Sequence, residues 1–358
     1  MSRDAQPVAL SCVGHLCKTH DNDEENAYAM YGEWEWRDDV LQSVQSYWSS
    51  IFVLSKKVIK QIDALCRKFL WEGSTNSTHA PPVAWDRVCS SKKAGGLGLK
   101  NLACWNMAAV GKLAWWVVTK ADRLWVQWVH HVYLKGFQWA DYTVGVNSSW
   151  SWRRICKIMT VFKLGFTTVW CPNNKLYTVT GGYAWLKQED TRVRWHNVIW
   201  NRYACPKHTF ISWLCVQGRL YTNARQLRLG LHVNAACFLS GVGTEDHDHL
   251  FFRCPTSRRC LALVQRWLGR PVGEDWNWIF LKQMRDGPML VRLILYAAFS
   301  GLIHHVWDMR NVFRIHHYVK SPVCTVRDLK FELKVRIESF NCNWKASDRE
   351  WLCSINLI

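Results

Sequence analysis

Residues 205–260 read CPKHTFISWLCVQGRLYTNARQLRLGLHVNAACFLSGVGTEDHDHLFFRCPTSRRC and hold one set of side chains spaced as metal ligands are. The set consists of Cys237, His249 and Cys254. In a tetrahedral zinc site, two thiolates two residues apart on a tight turn are completed by a histidine and a further cysteine. Ser240 stands where the second thiolate of such a turn belongs. The spacing therefore predicts a degenerate zinc site with three strong ligands.

The fourth ligand stays open on the sequence alone. His247 and Asp248 directly precede His249, and Cys260 follows Cys254 by six residues, so one of these side chains or a water molecule is available to complete the shell. Three ligands plus water have the outline of a catalytic zinc site. Decay of a four-ligand structural site is the simpler interpretation, because no nearby acid or base is placed as a proton shuttle. We expect zinc to be bound weakly or to be lost.

A longer series of residues surrounds these ligands. It consists of Pro206-Lys207-His208, Phe210-Ile211-Ser212-Trp213-Leu214, Arg219-Leu220-Tyr221-Thr222, Cys237 and Asp248-His249-Leu250-Phe251-Phe252-Arg253-Cys254. This order resembles the zinc-binding domain that follows the polymerase in plant non-LTR (LINE-type) retrotransposon reverse transcriptases, whose pattern is Cys-x2-Cys, a short acidic loop and His-Leu-Phe-x2-Cys. The resemblance extends over residues 39–320, and it implies three zinc ligands, with Ser240 departing from the fourth position.

The carboxylate sets of polymerases and nucleases are not recognisable in the sequence. A reverse transcriptase holds two divalent ions with paired aspartates, typically in a Tyr-x-Asp-Asp hairpin. The single Asp-Asp pair is Asp38-Asp39, which follows Trp36-Arg37 and precedes a helical run. No cluster resembles the carboxylates of an endonuclease or a ribonuclease H. We therefore expect a truncated, element-derived fragment that is not an enzyme and lacks the polymerase core.

The charge of the chain favours a polyanionic partner. The net charge is +18, but residues 1–40 carry three basic and nine acidic side chains, so the remainder carries +24. Such an excess favours RNA or DNA, because each phosphate contact releases counterions. The basic residues that flank the metal-ligand set are Lys207, Arg219, Arg225, Arg228, Arg253, Arg258 and Arg259. We expect them to contact phosphates with little sequence preference.

Two alternatives to nucleic-acid binding remain. The 24 tryptophans fill cores as readily as they stack on bases, so the chain is also consistent with a structural or protein-interaction remnant. The less favoured alternative is the inactive part of an RNA-directed DNA polymerase that another chain completes. The 15 cysteines are odd in number and irregularly spaced, and the first residues lack a signal peptide. We expect free thiols in a reducing compartment, nuclear or cytoplasmic, and no membrane partner.

Periodicity predicts a mainly α fold, in which a helical region is followed by a small zinc-knuckle-like module with a few short strands and by a long C-terminal helix. Val58 and Ile62 belong to an amphipathic helix with a basic exterior, and the long helix runs from about Pro288 to about His317. The expected domains are an acidic disordered leader (1–38), a helical region (39–146), a linker (147–176), the zinc-binding-like domain (177–268) and a C-terminal helical region (269–358). Within the leader, Cys12, His15, Cys17 and His20 form a second group of metal-binding residue types, which we interpret as part of a disordered segment.

Overall fold

A computed structural model describes residues 53–72, 81–171, 176–188, 192–270, 288–340 and 344–358. The chain divides into two compact units, Met1–Thr191 and Arg192–Ile358, and each is described by itself. The predicted leader and its group of cysteines and histidines lie outside the described residues.

The first unit is helical, as predicted. Its helices are α1 (Lys56–Glu72), α2 (Trp85–Val88), α3 (Leu102–Val118), α4 (Leu124–Val129), α5 (Trp150–Gly165) and α6 (Val179–Lys187), and the π-helical turns His130–Leu134 and Phe166–Trp170 continue α4 and α5. Val58 and Ile62 are buried on α1, whereas Lys56, Lys57 and Lys60 are exposed. The predicted amphipathic helix with a basic exterior is thus confirmed.

The core of this unit is aromatic. Trp115, Phe162, Phe166, Trp170 and Tyr177 are buried, and their rings meet at centroid distances from 5.1 Å (Trp170–Tyr177) to 6.3 Å (Trp115–Tyr177). Several of the tryptophans therefore fill a core. The structure also departs from the linker expected at 147–176, because α5 and its π-helical turn contribute most of this cluster. The division between the two units falls after residue 191 instead.

The hydroxyl of Tyr177 lies against two glycines of this core, Gly111 and Gly182. This hydroxyl donates to the carbonyl oxygen of Ala108 at 2.8 Å, and a Cβ atom at Gly182 would lie 1.9 Å from that hydroxyl oxygen. We expect Gly182→Ala to lower the free energy of unfolding by about 1–3 kcal/mol, because the tyrosine must shift within a packed core. Urea denaturation followed by circular dichroism measures the change. Helix propensity alone predicts that Gly182→Ala raises the free energy of unfolding. An increase in stability would therefore contradict the steric role of the Tyr177 contact.

The second unit is built around one long helix. Its helices are α7 (His196–Ile199), α8 (Pro206–Val216), α9 (Asn223–Arg228), α10 (Pro255–Trp267), α11 (Met289–His316), α12 (Pro322–Glu338) and α13 (Ala346–Ser354), with a π-helical turn at His249–Arg253. Helices α7, α8, α10 and α12 all pack on α11. Residues 208–215 of α8 are buried on every side of the helix, as a core helix requires.

Helix α11 confirms the predicted long C-terminal helix. By length and composition it is also able to cross a membrane, but 72% of its most apolar stretch is buried inside the unit. Its apolar character therefore reflects its place in the core. The mainly α fold class is confirmed as well. Of the few short strands predicted, the described residues hold a single isolated antiparallel bridge, between Ala236 and Thr244.

Candidate zinc centre and its basic surface

Cys237, His249 and Cys254 converge on one point. The two sulfur atoms lie 3.9 Å apart, and a ring nitrogen of His249 lies within 4.8 Å of both. Two thiolates that bind one tetrahedral zinc at about 2.3 Å each are separated by about 3.8 Å. The sulfur atoms thus have the separation that the ion requires, and the three side chains fit a zinc site.

Ser240 faces the same point. Its hydroxyl oxygen lies 3.4 Å from Nε2 of His249 and donates to the carbonyl oxygen of Val242 at 3.0 Å. An oxygen and a nitrogen that bind one tetrahedral zinc at about 2.1 Å are separated by about 3.4 Å. The hydroxyl therefore stands at the place of the missing thiolate. A neutral hydroxyl is a weaker zinc ligand than a thiolate, so the site has three strong donors and one weak donor.

Two glycines shape the loop that carries Cys237 and Ser240. The backbone N–H of Cys237 donates to Gly243 at 3.0 Å, and the N–H of Gly241 donates to Cys237 at 2.8 Å. Both glycines have positive φ, 69° and 74°. A Cβ atom at Gly243 would also lie 3.0 Å from Cε1 of His249. Glycine is needed there for the backbone conformation and for the approach of the imidazole.

Cys254 enters the site from the start of α10. The hydrogen bond with Cys237 lowers the pKa of the Cys254 thiol, and the backbone N–H groups of Ser257 and Thr256 act in the same direction against the effect of burial. The same hydrogen bond raises the pKa of Cys237. The thiolate form is therefore favoured on Cys254 over Cys237, since the N-terminus of a helix also favours negative charge.

Glu245 anchors the loop of residues 237–243, here called the zinc loop, from its buried side. The spacing of metal-ligand residue types in the sequence did not single out Glu245. Its Oε1 atom accepts hydrogen bonds from the backbone N–H of Asn223 at 3.1 Å and from Nε and Nη2 of Arg310 at 2.9 and 2.8 Å. Its Oε2 atom accepts from the backbone N–H of Phe238 at 3.0 Å. Glu245 is 0% exposed and Arg310 is 1% exposed. This buried ion pair connects α9, the zinc loop and α11.

The structure brings neither predicted substitute ligand into the group formed by Cys237, His249 and Cys254. The Nε2 atom of His247 is buried without a hydrogen-bond partner, and burial, together with the charge of Arg225, lowers the pKa of His247 to about 4. Cys260 is fully buried within α10, where burial raises its pKa to about 12. Asp248 pairs with Arg253 and is also outside the group. Water therefore remains of the completions considered, and the structure adds the Ser240 hydroxyl.

The predicted basic residues divide into two classes. The exposed ones are Arg219, Arg228, Arg253, Arg258 and Arg259. Arg253 pairs with Asp248 at 2.6 Å. Two of the predicted phosphate contacts need correction: Arg225 is 8% exposed and its guanidinium lies over the ring of Tyr221 at 4.8 Å, while Lys207 is half-buried and pairs with Glu332 at 2.7 Å. Both of these charges are used within the fold.

Residues 177–260 match the protein family described as zinc-binding in reverse transcriptase. This segment is therefore similar to the zinc-binding domain of reverse transcriptases. The match contains all three converging ligands and Ser240, and it confirms the resemblance to the zinc-binding part of plant LINE-type reverse transcriptases. The family is described by zinc binding. Cys237, His249 and Cys254, the candidate zinc ligands of this chain, all lie within the matched segment.

Two curated proteins of Arabidopsis thaliana are also similar to parts of this chain. A protein named "Putative ribonuclease H protein" is 26% identical over 163 residues, which are 45% of this chain and 24% of that protein. An "Uncharacterized mitochondrial protein" is 29% identical over 110 residues, which are 30% of this chain and 71% of that protein. The chain thus spans about a quarter of the first relative. No solved structure matches the chain significantly.

Proposed function

We propose that this protein is a non-catalytic binder of RNA or DNA, in which the zinc-binding domain holds an exposed basic surface in place. The observation that carries the proposal is the charge of residues 192–270, which hold twelve basic and three acidic side chains. An excess of this kind attracts phosphates without reading a sequence. The similarity to a protein named as a ribonuclease H also supports a nucleic-acid partner.

The three acidic side chains in this segment offset its exposed positive charge only in part. Glu245 is buried against Arg310, and Asp248 pairs with Arg253. Asp246 accepts a hydrogen bond from the backbone N–H of His249 at 2.7 Å. Within the described residues, no carboxylate pairs with Arg219, Arg228 or Arg259. These arginines are therefore available to phosphates.

Zinc would serve this function through the fold. Cys237, His249 and Cys254 would hold the ion, which would join the loop of residues 237–243 to the start of α10. Arg258 and Arg259 lie in the first turns of that helix. A structural zinc ion contributes folding free energy and no chemistry of its own. Its loss should therefore weaken nucleic-acid binding only as far as it disorders the loop and the helix start.

The salt dependence of binding to single-stranded RNA tests the proposal. We expect the combined variant Arg219→Ala, Arg228→Ala and Arg259→Ala to reduce the slope of log K against log salt by about 2, since each lost phosphate contact reduces it by roughly 0.7. Fluorescence anisotropy at several salt concentrations gives the slope. The matched control removes three exposed charges elsewhere in the unit: Arg327→Ala, Lys345→Ala and Arg349→Ala.

The comparison between the two triple variants decides the outcome. Equal slopes for the two would show that Arg219, Arg228 and Arg259 do not form the binding surface. Absence of binding by the unmodified protein at low salt would overturn the proposed function itself.

A second candidate function is contact with another protein. It is favoured by a run of exposed aliphatic side chains at the end of α9: Leu227, Leu229 and Leu231 are 41%, 57% and 51% exposed. Exposed leucines so close together are typical of an interaction surface. The triple variant Leu227→Ser, Leu229→Ser and Leu231→Ser separates the two functions, since it should leave RNA binding intact. If the variant lost RNA affinity while remaining folded, these leucines would belong to the nucleic-acid surface.

A further inference from the structure

Three histidines from two helices meet inside the second unit, away from the zinc ligands already described. His208 lies on α8, and His304 and His305 lie on α11. The ring centroid of His208 is 4.8 Å from that of His304 and 5.6 Å from that of His305. One ring nitrogen from each histidine lies within 4.8 Å of the other two. Such a cluster has the residue types and spacing of a metal site.

Each of these histidines has an unused ring nitrogen. The Nδ1 atoms of His208 and His304 and the Nε2 atom of His305 are buried without a hydrogen-bond partner. His208 is 0% exposed and His305 is 6% exposed. A buried polar atom without a partner is destabilising, and three such atoms on neighbouring rings point to a missing ligand.

Glu332 of α12 orients the first of these rings. The Nε2 atom of His208 donates to Oε2 of Glu332 at 2.7 Å, while Nζ of Lys207 donates to Oε1 at 2.7 Å. Because Nε2 carries the proton, the lone pair of His208 is on Nδ1. A carboxylate that holds the far nitrogen of an imidazole is the usual partner of a metal-bound histidine. The Nε2 atom of His305 lies 3.5 Å from the same carboxylate oxygen without forming a hydrogen bond.

Gly301 gives His208 the room to reach α11. A Cβ atom at Gly301 would lie 3.2 Å from Nδ1 of His208. Gly301 precedes His304 by three residues and His305 by four, so all three positions share one face of the helix. The bare backbone at Gly301 therefore lets the imidazole of His208 lie beside the two histidines of α11.

We propose that His208, His304 and His305 bind a divalent transition-metal ion, with zinc as the natural ion, at a second site that is independent of Cys237 and Cys254. Neutral imidazoles suit zinc and its neighbours in the first transition series. Nitrogens on one tetrahedral ion lie about 3.3 Å apart, a distance that small rotations of the three rings would produce. Glu332 positions His208 and offsets part of the charge of the ion. The site fastens α8 to α11 and has no catalytic role.

Cobalt(II) substitution tests the second site, because thiolate ligands give an intense sulfur-to-cobalt charge-transfer band that imidazole ligands lack. The full-length protein is stripped with a chelator and titrated with cobalt chloride. We expect the variant Cys237→Ser, Cys254→Ser to bind one Co²⁺ per chain, with visible ligand-field absorption and without the charge-transfer band. We expect His304→Gln in the unmodified background to bind one ion fewer than the unmodified protein and to keep any charge-transfer band unchanged.

Metal stoichiometry by elemental analysis separates this proposal from the proposed function. If the unmodified protein bound Co²⁺ without a thiolate band, the histidine site would be supported. The same result would show that Cys237 and Cys254 do not bind the metal ion that the proposed function assigns to them. If the cysteine variant fails to fold, the comparison of His304→Gln with the unmodified protein decides alone. An unchanged ion count in His304→Gln would overturn the histidine site, as would a folded cysteine variant that binds no Co²⁺.

Discussion

Arg310→Ala is expected to lower the free energy of unfolding by about 3–5 kcal/mol, the cost of removing one partner from a buried ion pair. The substitution leaves the carboxylate of Glu245, which is 0% exposed, with two backbone N–H donors and no counter-charge. Arg310 also donates to Oδ1 of Asn223 at 3.0 Å, so the start of α9 loses a contact as well. Urea denaturation followed by circular dichroism measures the loss.

Arg314→Ala is the matched control for this prediction, because Arg314 lies one turn further along α11 and is exposed. It should change the free energy of unfolding by less than about 0.5 kcal/mol. The second variant, Glu245→Gln, tests whether the two residues act as a pair. If it is combined with Arg310→Ala, the double variant should lose less than the sum of the two single losses. Additive losses, or an Arg310→Ala protein as stable as the control, would contradict the role assigned to the pair.

The sequence alone predicted those features whose residues lie close together in the chain. The spacing of Cys237, Ser240, His249 and Cys254 predicted side chains that the structure brings together, because a turn and a helix start fix their geometry within eighteen residues. The long helix α11 was predicted for a similar reason, since an apolar periodicity over 28 residues belongs to a buried helix. The aromatic core of the first unit was not located, because its residues come from helices that are distant in sequence.

Residues of one type were indistinguishable until their burial was known. Arg225 and Arg228 lie on the same short helix, yet Arg225 packs over Tyr221 while Arg228 is exposed. Glu245 gave no signal beyond an acidic loop, because its partner Arg310 is 65 residues away. His208 and His304 are almost a hundred positions apart, and adjacent histidines point about 100° apart on a helix. Only the packing of α8 on α11 makes these three histidines a group.

Ser240→Cys is expected to strengthen zinc binding roughly a hundredfold, and this is the second large effect. A structural zinc site with four ligands contributes about 10–16 kcal/mol at neutral pH, so one ligand accounts for about 3 kcal/mol. Every 1.4 kcal/mol corresponds to about a tenfold change in affinity. The new sulfur would start from a position that already faces Nε2 of His249 at 3.4 Å. Competition with a zinc chelator measures the affinity, and the melting temperature with and without zinc measures the coupled gain in stability.

Val242→Cys is the control, because it adds a thiol to the same loop at a side chain that is exposed and directed elsewhere. It should leave zinc affinity and zinc-dependent melting unchanged. Equal zinc affinity in Ser240→Cys and in the unmodified protein would mean that a fourth ligand already completes the shell. Adding His247→Ala or Cys260→Ala would then identify it, since loss of affinity in one of these variants would show a rearrangement that brings that side chain to the ion. If neither His247→Ala nor Cys260→Ala changed the zinc affinity, water would be the fourth ligand, and the side chain at position 240 would not bind the ion.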